Sequence, residues 1–292
     1  MKKTIITLVV ILVAVYAILS LLSIGDEYFA EKLLYRASKI NEKIVTNPDV
    51  VPPKMLAIVE GTLKKIIEKY PASNVAKAAK LSLAEFYISH KKYEKALPIL
   101  NALIEKTDSK DTILLTSAYF MKGNLYERQG QWDRALKEYL SLRDKYTDTT
   151  LGLQVPMYIA ASYIRKGQID EANRAFGEAA AFYARVEKEN RGKVLGYKAA
   201  TLMRDAYLGA KDYEKAGMAV RNTINDYLSN IALADQMPYV ELIYVRTLKT
   251  PEKAIEIYKS IMEKSKDKKL NEVLSKRIEA LKAGKTEKAL SK

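Results

Sequence analysis

The feature that most constrains this chain is a five-fold recurrence. The segments Tyr93-Glu94-Lys95-Ala96, Trp132-Asp133-Arg134-Ala135, Ile169-Asp170-Glu171-Ala172, Tyr213-Glu214-Lys215-Ala216 and Pro251-Glu252-Lys253-Ala254 align on their alanines. From Ala96 to Ala135, Ala172, Ala216 and Ala254 the spacings are 39, 37, 44 and 38 residues. Nine positions before the first four alanines stand Tyr87, Tyr126, Tyr163 and Tyr207, with Val245 before the fifth. Four positions after each alanine lies a bulky residue: Leu100, Tyr139, Phe176, Val220 or Tyr258. A small residue lets two helix backbones approach closely, and aromatic side chains fill the space around that contact. Such a pair of helices buries only one face, so neighbouring pairs must stack to complete a core.

Composition agrees with helices. Gly and Pro number 12 and 8 among 292 residues, about 7% against a usual ~12%. The other abundant residues, Ala, Leu, Lys and Glu, are good helix formers. Before the repeats, Phe29, Leu33, Ala37, Ile40 and Ile44 mark an amphipathic helix over Asp26 to Thr46. The Pro-dense break from Asn47 to Pro53 separates it from a second helix, Lys54 to Tyr70, stopped by Pro71.

The segment Tyr119-Phe120-Met121-Lys122-Gly123-Asn124-Leu125-Tyr126, followed by Gly130, Trp132, Ala135 and Tyr139, resembles the tetratricopeptide repeat, with its G-x-x-Y…A-x-x-x-F pattern. Ala160, Tyr163, Gly167, Ala172 and Phe176 repeat the pattern; the copy at about Ala76 to Lys106 keeps Tyr87, Tyr93 and Ala96 without the glycine. In the last two copies Arg204 and Leu242 stand where the small residue of the first helix belongs. The resemblance implies an all-α fold, a right-handed superhelical solenoid of helix pairs, used to bind protein or peptide partners. The junction from Lys69 to Ala79, KYPASNVAKAA, also resembles one found in exported bacterial envelope repeat proteins. These include the barrel-assembly lipoprotein and the Tol–Pal coordinator. Neither role is carried over, because no Cys follows the apolar N-terminal run and no N-terminal coiled coil is present.

That run, Thr4 to Ile24, contains no charge in 21 residues, and 21 residues of helix reach about 31 Å, close to the ~30 Å hydrocarbon core of a bilayer. Lys2 and Lys3 before it, with Asp26 and Glu27 after it, favour an N-terminus inside and the body of the protein outside. The expectation is a single-pass inner-membrane anchor carrying a periplasmic domain. Cleavage after Ser23-Ile24-Gly25 or Val15-Tyr16-Ala17, giving a soluble periplasmic protein that binds peptides or cell-wall material, is the alternative. The expected organisation is a membrane segment over 1–25, a divergent helix pair over 26–71 and about five repeats over 72–265. A capping helix over 266–284 and a frayed basic tail over 285–292 would complete it.

No enzymatic chemistry is suggested, and an enzyme is only the third, remote alternative. The chain has no Cys and one His, His90, so thiolate and His-cluster metal sites have no ligands. No glycine-rich phosphate loop occurs, and no cofactor is expected. The formal net charge of +14 divides into +2 from Lys2 and Lys3 and +6 from Lys249 to Lys292; the other +6 is dispersed among acidic residues. Basic stripes interleaved with base-stacking aromatics are lacking, so nucleic acid is not an expected partner. The expected binding surface is a groove lined by the first helices of the repeats. It would comprise Leu81, Glu85, Ile88, Phe120, Asn124, Glu127, Arg128, Met157, Ala161, Ile164, Arg165, Asp205 and Leu208. Tyr239 and Tyr244, off the repeat pattern, are candidate exposed anchors. Oligomeric state is not set by the sequence.

Overall fold

The computed structural model describes residues 12–13, 27–44, 46, 52–227 and 235–284, and among them every regular element is helical. After α1 (27–44) come α2 (Pro53–Lys69), α3 (Asn74–Ser89), α4 (Tyr93–Lys106), α5 (Thr112–Arg128) and α6 (Trp132–Lys145). They are followed by α7 (Thr150–Arg165), α8 (Ile169–Glu189), α9 (Val194–Gly209) and α10 (Tyr213–Tyr227). α11 (Met237–Val240) runs directly into a π-helical stretch, Glu241–Thr247, before α12 (Pro251–Lys264) and α13 (Lys268–Lys282). The all-α class expected from the repeat is what the described residues adopt. The anchor expected over Thr4 to Ile24 lies outside the described residues save Leu12 and Val13, as does the tail over 285–292. Among the described residues no helix is long and apolar enough to cross a membrane.

The chain divides into two compact units, Met1–Leu151 and Gly152–Lys292. In the first, one core runs from Ala30, Ala37 and Ile44 of α1 through Val59, Leu63 and Ile66 of α2 to Leu114, Ala118 and Leu125 of α5. Ser73 starts α3 by accepting the Ala76 N–H at 3.0 Å, which explains why the helix begins right after Pro71. In the second, Leu153 of α7 packs with Ala179, Phe182, Tyr183 and Val186 of α8 and Ala199 of α9. A separate cluster joins Val220 and Ile224 of α10 to Ile243, Ile257, Tyr258, Leu274 and Ile278.

The five aligned alanines are the buried centres of these pairs. Ala96, Ala135, Ala172, Ala216 and Ala254 all have 0% exposure. The acidic residues two positions earlier fall in the first turn of α4, α6, α8, α10 and α12, beside the positive end of each helix dipole. In the α5–α6 pair, a Cβ added to Gly123 would stand 2.4 Å from Cε1 of Tyr139. Glycine is needed there because the tyrosine ring lies directly on the α5 backbone.

The turn inside each pair repeats as well. Five residues before each alanine the backbone is left-handed: Lys91 (φ 59°), Gly130 (φ 74°), Gly167 (φ 72°), Lys211 (φ 58°) and Lys249 (φ 57°). In the first four copies the next N–H bonds the carbonyl of the repeat tyrosine, as in Lys92 to Tyr87 (2.8 Å), Gln131 to Tyr126 (2.9 Å), Gln168 to Tyr163 (3.0 Å) and Asp212 to Tyr207 (2.9 Å). This six-to-one bond is the Schellman ending of a helix, which favours glycine at its left-handed position. Lysine there is strained by its Cβ, so Lys91→Gly and Lys211→Gly should each stabilise the fold by about 0.5–1 kcal/mol. Urea unfolding followed by circular dichroism checks this; a loss of stability in both variants would contradict it.

The fifth copy departs by one residue. Its cap bond runs from the Thr250 N–H to Tyr244 (2.7 Å), not to Val245, and the Leu248 N–H reaches five residues back to Ile243 (2.8 Å). A π-turn thus takes up one extra residue. Counting along the sequence assigns Val245 to the tyrosine position and Leu242 to the small one. The structure moves both assignments back by one, to Tyr244 and Glu241, and leaves Leu242 43% exposed.

Candidate functional site

In the first unit the expected groove residues lie on α3 and α5. Glu85 and Arg128 are exposed, and Asn124 accepts a hydrogen bond from Arg128 Nε at 2.9 Å. Leu81 is half-buried against the core, and the Phe120 ring lies 5.6 Å from Tyr139. Two expected positions turn inward. Ile88 is 3% exposed, held in the core beside Phe86 and Tyr87. Glu127 accepts the Tyr139 hydroxyl at 3.0 Å, tying α5 to α6.

In the second unit Ile164 and Arg165 of α7 are exposed, Arg165 bonding Ser162 and stacking 5.0 Å from the Tyr158 centroid, while Ala161 is half-buried. Met157 and Leu208 are half-buried against the two clusters of that unit. Asp205 accepts Arg204 Nε at 2.8 Å. Arg204, in place of a small residue, is buried; it donates to Gln236 Oε1 at 3.1 Å and lies 3.5 Å from the Tyr239 ring centroid. Tyr239 is therefore a stacking partner and not an exposed anchor. Tyr244 is 4% exposed and sits over Gly217.

Buried tyrosines meet carboxylates in a recurring way. Tyr87 donates to Glu60 at 2.8 Å, Tyr227 to Glu187 at 3.0 Å and Tyr258 to Glu241 at 2.7 Å. Burial and the bond to Glu187 push the Tyr227 phenol up to about 12, so it remains a donor at neutral pH. Glu60 is held below the usual carboxylate range by its hydrogen bond from Lys64, against the effect of burial. These groups are cross-braces of the fold. His90 follows α3, with Nδ1 2.7 Å from the Phe86 carbonyl and its ring 4.4 Å from the Phe86 ring. Among the described residues no group of three or more His, Cys, Asp or Glu is placed to hold a metal ion.

What sequence counting missed is a second cleft beside α3. A cavity of about 650 Å³ opens between α2 and α4, within the size range of ligand sites. Ile67, Leu83, Ile99, Ala102 and Leu103 give it an apolar lining, with Pro71 and Pro98 beside them. Its charged residues are Lys64, Lys77, Lys80 and Lys106 against Glu68 and Asp108. Lys64 is paired with Glu60 and Lys77 with Asp111. Lys80 and Lys106 have no carboxylate partner among the described residues. Such a cleft suits an apolar side chain flanked by negative charge. The signal was present in the lysines of α3, but only the gap between α2 and α4 brings them to a common site.

The family model of the tetratricopeptide repeat matches residues 117–149, the segment of α5 and α6. No curated protein matches the sequence. Among solved structures the chain is similar to a tetratricopeptide repeat protein from Parabacteroides merdae, at 14% identity over 88% of this chain and 87% of that one, with a TM-score of 0.39. It is similar to BtubC (BKLC) from P. vanneervenii at 15% identity, over 90% and 94% of the two chains, with a TM-score of 0.34. A third is a signal transduction ATPase with numerous domains, bearing a tetratricopeptide repeat sensor, from Pyrococcus horikoshii. There the identity is 14%, the coverage 89% of this chain and 44% of that chain, and the TM-score 0.34. Tetratricopeptide repeats are in general non-catalytic scaffolds for protein–protein interaction. With the Gly123, Ala135 and Tyr139 contact at its centre, the α5–α6 pair is the segment of this chain that matches the tetratricopeptide repeat.

Proposed function

We propose that this protein is a membrane-tethered scaffold of the bacterial cell envelope. The apolar run Thr4 to Ile24 serves as its anchor and the repeat body lies on the outer side of the inner membrane. The observation that carries the binding reading is the cleft between α2 and α4. Its apolar lining and its lysines Lys80 and Lys106 favour a partner segment with bulky apolar residues next to Asp or Glu. The competing surface is the first-helix face at Glu85, Asn124 and Arg128.

Charge reversal separates the two. Crosslinked partners captured from intact membranes, identified by mass spectrometry, should fall at least about tenfold for Lys80→Glu/Lys106→Glu, since like charges at a docking site cost several kcal/mol. Arg128→Glu should leave capture unchanged. The reverse pattern would move the binding surface to the first-helix face. Equal capture by both variants would count against both surfaces. A mature protein beginning at Asp26 would remove the anchor and leave a soluble exported scaffold.

A further inference from the structure

α1 has two faces of very different character. At about 100° per residue, Ala30, Ala37 and Ile44 share one side of the helix, and all three are buried in the first unit. The opposite side carries Tyr28, Lys32, Tyr35 and Lys39, flanked by Phe29, Arg36 and Lys43. The three aromatic side chains are left in solvent, at 59% exposure for Tyr28, 56% for Phe29 and 67% for Tyr35. The four basic side chains are exposed as well. Glu31 and Glu42 lie along one border, where Glu42 pairs with Lys39 at 2.8 Å. Aromatic rings among Lys and Arg on the outer face of a helix are the arrangement that sits at a membrane interface. The rings enter the headgroup layer and the cations meet lipid phosphates.

Chain connectivity points the same way. Tyr28 is four residues beyond Ile24, so it lies no more than about 14 Å from the end of the apolar run. A partner domain of 100 residues has a radius of gyration of about 13 Å and does not fit into such a gap. We infer that α1 lies along an anionic bilayer surface, with Tyr28, Phe29 and Tyr35 at headgroup level and Lys32, Arg36, Lys39 and Lys43 facing lipid phosphates. This rests on the tethered reading above. It adds that the first unit is held at the surface by a specific face of α1, not on a free stalk.

The absence of Cys makes the test clean, because one introduced cysteine carries one spin label. The full chain is reconstituted in phosphatidylcholine nanodiscs with and without phosphatidylglycerol, labelled in Tyr35→Cys or, as a reference on α10, in Met218→Cys (53% exposed). With phosphatidylglycerol present, label 35 should show a roughly threefold higher ratio of oxygen to nickel-chelate accessibility than label 218, as befits the headgroup layer. Lys32→Glu/Lys39→Glu, added to the labelled chain, should abolish the difference. Equal ratios at the two positions in both lipids, with the chain still in the discs, would overturn the inference and leave the tether intact. Failure of the chain to enter the discs would overturn both. Shielding of label 35 from both reagents would overturn it in favour of a protein partner or a second copy on α1.

Discussion

Arg277→Met should cost the second unit about 3–5 kcal/mol, the usual result of stripping the partner from a buried carboxylate. Glu241 is 5% exposed and takes three short hydrogen bonds: from Arg277 Nε and Nη2 at 2.6 Å each, and from the Tyr258 hydroxyl at 2.7 Å. The pair joins the π-helical stretch to α13, so the terminal helix is held by it as well as by Leu274 and Ile278. Once the guanidinium is gone the carboxylate remains, with one phenol for company. Glu241→Leu/Arg277→Met should recover most of the loss, since replacing both charges with apolar groups is often close to neutral. Urea unfolding followed by circular dichroism measures both, and equal stability of Arg277→Met and the parent would refute the assignment.

Acid sharpens the same test. Burial alone would raise the Glu241 carboxyl, but hydrogen bonds from Arg277 and Tyr258, with the charge of Arg277, hold it below its ordinary 4.5. A carboxyl depressed in the folded state adds stability that is present above its unfolded value and is lost as pH falls through the folded value. The parent should therefore lose this contribution only below about pH 4.5. In Arg277→Met the sign reverses: the unpaired buried carboxylate is relieved by protonation. The gap between variant and parent should narrow as the solution is acidified.

The second large effect is expected at Gly123. Gly123→Ala should destabilise the α5–α6 pair by about 1–3 kcal/mol, although alanine is the better helix former by about 1 kcal/mol. The new Cβ would lie 2.4, 2.7 and 2.8 Å from three ring carbons of Tyr139, and that ring is fully buried with its hydroxyl fixed on Glu127. Gly123→Val should cost more. A cycle with Tyr139→Leu isolates the contact: the double variant should lose less than the sum of the singles, by 0.5–3 kcal/mol in order of magnitude. Trp132 is the chain's only tryptophan and lies 6.3 Å from Tyr139, so its fluorescence reports on this pair directly. Additive losses would mean that some contact other than the Tyr139 ring requires glycine at position 123.

These two sites also mark how far the sequence could be followed. Ala135 with Gly123 and Tyr139 was legible because helix packing is local, and the alanine with a bulky residue four places on recurs in every copy. The burial of all five alanines follows from the same rule. The face of each helix was harder. Ile88 and Glu127 fall at surface positions by count, yet one fills the core and the other answers the tyrosine of the next helix. A hydrophobic period gives a helix its inner side but does not tell whether a borderline residue meets solvent or a neighbour. The cleft between α2 and α4 was out of reach for another reason. It is made by what α2 and α4 fail to touch, and a gap leaves no periodicity. The fifth copy misled by a single residue, because counting assumes that every turn has the same number of residues.

That π-turn has a consequence for how such chains change over time. One codon inserted into an ordinary helix rotates everything beyond it by about 100° and would turn a core face outward. Here the surplus is confined to one widened turn, and Ala254 and Tyr258 still find their places at 0% exposure. A repeat that can absorb an insertion in this way drifts in length without losing its contacts. The one surplus residue of the fifth copy is then the mark of a tolerance: a length change that shifts the count along the sequence while the core contacts stay in place.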